Sequence, residues 1–183
     1  MVAYSNGMAV GTAAPGFDLP GVDGRNHSLA SLSDARVLVV IFTCNHCPYA
    51  KAVEDRLVAL QRDYLERGVR LCAINPNDEQ AYPDDSFAAM VQRAQQKGFT
   101  FPYLRDQSQA VARAYDAACT PDIFAFGPER KLLYNGRLDD NWQQPDKVQR
   151  HDLRRALDLT LEARPLDFDP VPSMGCSIKW KRP

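Results

Sequence analysis

Apolar residues in this chain fall into short continuous runs, separated by stretches with helical spacing. Val37 to Thr43 is the strongest run. It is β-branched and apolar throughout, as expected of a strand covered on both faces at the centre of a sheet. Ala50, Val53, Leu57, Leu60 and Tyr64 then recur at helical spacing, which predicts one face of a helix with Gly68 placed to stop it. Val69 to Ile74 is the next strand-like run. Strand, helix and strand in this order predict a parallel βαβ unit. After a polar loop from Asn75 to Asp85, Phe87, Met90, Val91 and Ala94 predict a second helix ended near Gly98. A short helix carrying Val111, Ala114 and Tyr115 is expected after Asp106.

Phe17-Asp18-Leu19, a turn at Gly21 to Gly24, and Arg25 to Leu29 predict an N-terminal β-hairpin. Ser31 to Arg36 reads as a polar connector. Thr120 to Phe126 predicts a strand that opens on a proline. Gly127 to Arg130 predicts a turn, and Lys131 to Tyr134 an antiparallel return. Leu153, Ala156, Leu157, Thr160 and Leu161 predict a last helix that stops before Pro165. The tail is proline-rich and irregular, yet it holds Phe168, Met174, Ile178 and Trp180. That is too apolar for an unattached linker. The expected organisation is one α/β domain over residues 11–164, with a tail, residues 165–183, packed back on it.

The 183 residues suit one domain with a substantial core. A hydrophobic share of 45% and a charged share of 25% are ordinary globular usage. The net charge of −1 gives no attraction to nucleic acid or an anionic membrane surface. No apolar stretch approaches the roughly 18 residues needed to span a bilayer. Met1 to Gly16 lacks a basic segment followed by an apolar run. A cytoplasmic protein with no nucleic-acid or membrane partner is expected. The cysteines, Cys44, Cys47, Cys72, Cys119 and Cys176, are odd in number and sparse, which does not make a disulfide framework.

Cys44-Asn45-His46-Cys47 lies where the apolar strand gives way to the helix. Two thiols so spaced at the opening of a helix read as a redox centre. A thiolate, not a thiol, attacks a disulfide, and a helix N-terminus stabilises the anion. Pro48 fits the first helical turn, where no amide hydrogen is needed. On this reading the Cys44 sulfur is the more exposed and attacks the partner, and Cys47 resolves the mixed disulfide. His46, between the thiols, is expected to favour the thiolate further. The partner is a thiol or disulfide, on a protein or a small molecule, and no cofactor is implied. Proline at position 121, opening a strand, reads from sequence alone as an ordinary trans edge-strand residue.

Three strings resemble the thioredoxin superfamily, in its AhpC/TSA and redoxin-like branch. They are Ala14 to Leu19, Phe42-Thr43-Cys44-Asn45-His46-Cys47-Pro48-Tyr49, and Cys119-Thr120-Pro121-Asp122. The middle string is similar to peroxiredoxin-like proteins that carry a thioredoxin-style C-x-x-C, a group regarded as thiol-disulfide oxidoreductases. The resemblance spans about Gly11 to Leu161. It implies a thioredoxin-like fold, a central mixed β-sheet flanked by helices, with a cis proline at Pro121 beside Cys44 and Cys47. Thr43, His46, Thr120 and Pro121 would then tune the thiols or line the substrate groove, and a thioredoxin-type protein could serve as reductant.

Two departures from the resemblance matter. Thioredoxin has a tryptophan before its first cysteine and a buried acid six residues before it. Here those positions hold Thr43 and Leu38, so another group, such as Asp139, Asp140 or a water, would accept the proton. Peroxiredoxins carry P-x-x-x-T-x-x-C, where this chain has Val40 and Cys44. The peroxidase alternative makes Cys47 the peroxidatic thiol and Cys44 the resolving one.

Cys119, beside the Thr120-Pro121 turn, and Cys176, in the tail, are candidates for a third redox thiol. Cys72, in a core strand, reads as inert packing. His27 and His151 read as surface residues. Copper or zinc on Cys44, His46 and Cys47, with Cys119, is a further alternative. A structural zinc site would need a second ligand pair that the sequence does not offer.

Overall fold

The computed structural model describes residues 1–182; the last residue of the tail lies outside them. In chain order the elements are β1 (Val2–Tyr4), β2 (Asp18–Pro20), β3 (Asn26–Ser28), β4 (Val37–Phe42), α1 (Pro48–Tyr64), β5 (Val69–Asn75), α2 (Phe87–Lys97), β6 (Tyr103–Arg105), α3 (Ala110–Ala114), β7 (Cys119–Thr120), β8 (Asp122–Phe126), β9 (Leu132–Asn135), α4 (Asp152–Leu161) and β10 (Met174–Ser177).

The centre is a mixed sheet in the order β6-β5-β4-β8-β9. Strand β4 runs parallel to β5, and β5 to β6, while β8 is antiparallel to β4 and β9 to β8. All six residues of β4 are buried. Side chains on a strand point alternately to its two faces. Val37, Val39 and Ile41 accordingly pack with Val53, Leu57 and Leu60 of α1 and with Leu153 and Leu157 of α4. Leu38, Val40 and Phe42 pack on the other face with Phe17, Val111 and Tyr115. This is a thioredoxin-like α/β fold, with helices on both faces of the sheet and the β2–β3 hairpin as an N-terminal extension.

Helix α1 begins at Pro48, tightens into a 3-10 turn over Leu65–Arg67, and ends on Gly68 at φ +83°. That left-handed conformation suits glycine, which carries no Cβ to clash. The strand expected from Thr120 to Phe126 is broken at its second residue. The Thr120–Pro121 peptide is cis, so β8 stays in the central sheet while β7 turns away to pair with β10.

The tail, expected to be irregular, contains a strand. β10 pairs antiparallel with β7 on one side and with β1 on the other. Strands β1, β6 and β10 escape a sequence reading because each is short, and each is fixed by a partner distant in sequence rather than by its own alternation. Among the described residues no helix is long and apolar enough to cross a membrane.

Candidate active site

The end of β4 and the start of α1 place the dithiol. The Thr43 N–H continues the β4 ladder by donating to the Ile74 carbonyl at 2.9 Å. Cys47 is the N-cap of α1, with extended backbone, and Pro48 occupies the first turn. The anion-stabilising end of the helix therefore belongs to Cys47, not Cys44. The expected difference in exposure is not met. Cys44 and Cys47 are both buried, at 1% and 0%, because β10 and β7 lie over them.

Thr120 touches both sulfurs. Its Oγ1 lies 3.3 Å from the Cys44 sulfur, and its carbonyl oxygen 3.1 Å from the Cys47 sulfur. The Cys44 thiol first, then the Cys176 thiol, the Ala50 N–H and the Thr120 hydroxyl, favour negative charge on the Cys47 sulfur. Against the opposing effect of burial, they hold the Cys47 thiol below its ordinary value. The Thr120 carbonyl works the other way, since it accepts a proton from Cys47 only in the thiol form.

Cys44 is pushed up, first because its proton is given to Cys47, then by burial and by the negative charge of Asp85. The helix position and the groups around the pair thus favour Cys47 over Cys44 as the thiolate. The helix amides converge on the second cysteine, and a carboxylate stands beside the first.

Asp85 is the site residue that sequence reasoning missed. Its Oδ2 lies 2.6 Å from His46 Nδ1, and its Oδ1 accepts the Asn45 N–H at 2.6 Å. Asn77 Nδ2 donates to it at 2.9 Å. Burial alone would raise this carboxyl, but His46, Asn77 and the Asn45 amide more than offset it and hold it below the usual carboxylate value. His46 therefore faces Asp85 rather than a sulfur, and its ring stacks on Tyr82 with centroids 4.9 Å apart. Asn45 is pinned in turn by Tyr103, whose hydroxyl donates to its Oδ1 at 2.9 Å, and by the Asp84 carbonyl at 2.7 Å. Asp84 and Asp85 follow Pro83 in a polar loop with no periodicity, so no local pattern separates them from solvated acids.

The other acids named from sequence do other work. Asp139 is paired with Arg56 at 2.5 Å, which removes it as a proton acceptor for the dithiol. Asp140 accepts the Gln149 N–H and lies 4.0 Å from Arg150 Nε. Arg56 also binds the Asn141 and Trp142 carbonyls, setting the Trp142 ring 4.1 Å from that of Tyr49.

Cys119 is fully buried, with its sulfur 3.4 Å from the Pro121 carbonyl, and burial pushes its thiol up. Cys176 is only half-buried and packs on the Cys44, Cys47 and Ala50 cluster. Cys72 is buried in β5 and pushed up by burial alone.

One sulfur, one ring nitrogen and one carboxylate oxygen of Cys44, His46 and Asp85 lie within 4.8 Å of one another. They are ligand types that zinc accepts. His46 Nδ1 and Asp85 Oδ2, however, stand at hydrogen-bond distance, 2.6 Å. Two ligands of one tetrahedral zinc, each at roughly 2.0 Å from it, stand about 3.3 Å apart. The geometry is that of a histidine–carboxylate pair beside a thiol.

Comparison with known proteins agrees with this picture. A solved structure of an uncharacterised conserved protein of Geobacillus kaustophilus is 44% identical and superposes with a TM-score of 0.93, covering 99% of this chain and 97% of its own. The thiol-disulfide oxidoreductase ResA of Geobacillus thermodenitrificans is 25% identical over 127 residues, which is 68% of this chain and 67% of ResA. A thioredoxin family protein of Chlorobium tepidum, a thiol:disulfide interchange protein, shares the fold at a TM-score of 0.66 and 19% identity, covering 84% and 99% of the two chains. The AhpC/TSA family model matches residues 10–135, from the segment before the N-terminal hairpin through β9. With well over half of its length so matched, and a dithiol at the head of α1 beside a cis proline, this chain belongs to the AhpC/TSA family, in its thioredoxin-like form.

Proposed function

We propose that the protein is a thiol-disulfide oxidoreductase in which Cys44 and Cys47 cycle between dithiol and disulfide. The observation that carries this reading is the placement of the two cysteines: Cys47 caps α1, Cys44 precedes it in the same turn, and Thr120, beside the cis proline, touches both sulfurs. One sulfur is ready to attack, and the other is in place to resolve the mixed disulfide. The similarity to ResA supports the same class of substrate, a protein or small-molecule disulfide or thiol. A thioredoxin-type dithiol is the reductant that fits such a cycle.

Cys44 gives up its proton when it resolves. The His46–Asp85 pair beside it replaces the buried acid that Leu38 does not supply, and we assign it the role of receiving that proton.

A second reading is favoured by one observation. The stabilised thiolate is Cys47, the position that aligns with a peroxidatic cysteine. In that reading Cys47 is oxidised by a peroxide and Cys44 resolves the sulfenic acid.

The test is oxidation with a slight excess of a disulfide or of hydrogen peroxide, followed by mass-spectrometric mapping and stopped-flow rates. A Cys44–Cys47 bond formed faster by disulfide than by peroxide supports exchange. Faster formation by peroxide favours the second reading, and no Cys44–Cys47 bond overturns both.

A further inference from the structure

The dithiol is buried, and something must connect it to a partner outside. β10 lies directly over it. In the β7–β10 ladder Cys176 stands opposite Thr120, the residue that touches both active sulfurs, and Ser177 stands opposite Cys119. The seat is built for a close approach. A Cβ placed on Gly175 would lie 2.0 Å from the Thr120 carbonyl oxygen, so only glycine lets the strand come this near. β1 closes the far side, pairing Val2 with Cys176. The result is a cluster of three thiols in which Cys176 packs against Cys44 and Cys47. Of the three, only Cys176 is partly open to solvent.

We propose that Cys176 is a third redox thiol and the port through which external thiols reach the buried disulfide. The proposal rests on the exchange function argued above for Cys44 and Cys47.

In the oxidised protein the Cys176 thiolate attacks the Cys47 sulfur. The Cys44–Cys47 bond breaks, its electron pair leaves on Cys44, and Cys44 takes up the proton that Cys176 released. An external thiolate then attacks the Cys176 sulfur of the new Cys47–Cys176 disulfide and expels the Cys47 thiolate. A second external thiol completes the reduction, freeing Cys176 and leaving as a disulfide with the first. Overall, two external thiols are oxidised to one disulfide, Cys44 and Cys47 are reduced, and Cys176 is returned unchanged.

The surroundings suit the second step, which expels Cys47. A low-pKa thiol leaves faster, and the donors around Cys47 make it the better leaving group. Burial first, and then the Cys47 sulfur beside it, push the Cys176 thiol up to about 11; Lys179 and the chain N-terminus oppose that rise, and the Cys47 contribution is absent when Cys47 is in a disulfide.

The experiment uses the full chain with Cys44→Ser, oxidised by one equivalent of diamide, alkylated and mapped by mass spectrometry. A Cys47–Cys176 disulfide in most molecules is expected. Recovery of Cys47 and Cys176 as separate alkylated thiols overturns the proposal. In parallel, oxidised wild type and Cys176→Ser are reduced with glutathione. At least a tenfold slower reduction is expected for Cys176→Ser, with glutathione trapped on Cys176 in the wild type; equal rates, or trapping only on Cys44 or Cys47, overturn the port. Wild-type protein that forms no Cys44–Cys47 disulfide would instead overturn the exchange reading beneath it. The Cys44→Ser mapping stands even where Cys176→Ser fails to fold.

Discussion

His46 Nδ1 lies 2.6 Å from Asp85 Oδ2, joining the dithiol turn to a loop 39 positions further along the chain. The pair fixes where charge sits around the thiols. Its carboxylate raises Cys44 and leaves the thiolate to Cys47, at the head of α1.

Asp85→Asn keeps the shape of that pair and removes its charge. The Cys44 thiol should become more acidic, read by thiolate absorbance against pH. Stability should fall by about 1–3 kcal/mol at neutral pH, since four partners, Asn45, His46, Asn75 and Asn77, lose an anionic acceptor. A carboxyl held below its ordinary value stabilises the fold above the carboxylate range, and that stability is lost as pH falls through the folded value. The difference between the two proteins in urea unfolding should therefore vanish in acid; a difference unchanged at low pH would contradict the assignment.

Cys47→Ser and Cys44→Ser should not behave alike. With the thiolate on Cys47, Cys44→Ser still attacks an activated aromatic disulfide, and the adduct on Cys47 persists once Cys176 is also replaced by serine. Cys47→Ser should react at least about a hundredfold more slowly at neutral pH, because the remaining Cys44 thiol is protonated there. Intact-mass kinetics distinguish the two; equal rates would return the attacking role to Cys44.

Gly175→Ala should unseat β10. Overlap with the Thr120 backbone forces the strand away, at a cost of about 1–3 kcal/mol. Cys44 and Cys47 should then react with a thiol reagent at least tenfold faster, and amide protons of β10 should exchange faster. Unchanged reactivity would mean that the strand does not gate the thiols.

Asp122 predicts a pH window of its own. It follows the cis proline, is fully buried, and accepts the Ala118 N–H at 3.0 Å. Burial outweighs these donors and pushes its carboxyl up to about 6. A raised carboxyl favours the fold while protonated, so its contribution falls as pH rises between the ordinary carboxylate value and about 6. Relative to Asp122→Asn, the wild type should lose about 3 kcal/mol of stability across that window. Thermal melts of both proteins at each end of the window provide the check.

The core and the motif were legible because their causes are local. An unbroken apolar run at Val37 to Phe42 reads as a central strand wherever it is placed, and the spacing of Val53, Leu57 and Leu60 reads as a helix face. Cys44 and Cys47, two residues apart at that junction, had to share the head of α1. Cis Pro121 came from family resemblance, since the residues alone favour trans.

What the sequence could not decide is which sulfur carries the charge, because that depends on groups brought in from afar. Asp85 arrives from a loop after β5, Thr120 from the end of β7, and Cys176 from a strand with no pattern of its own. Electrostatics and hydrogen bonding act across a few ångströms of space, whatever the separation along the chain. The chain alone therefore determined that two thiols sit at a helix start, and the tertiary structure decided that Cys47 rather than Cys44 caps the helix, that both are covered, and that the half-buried Cys176 packs beside them.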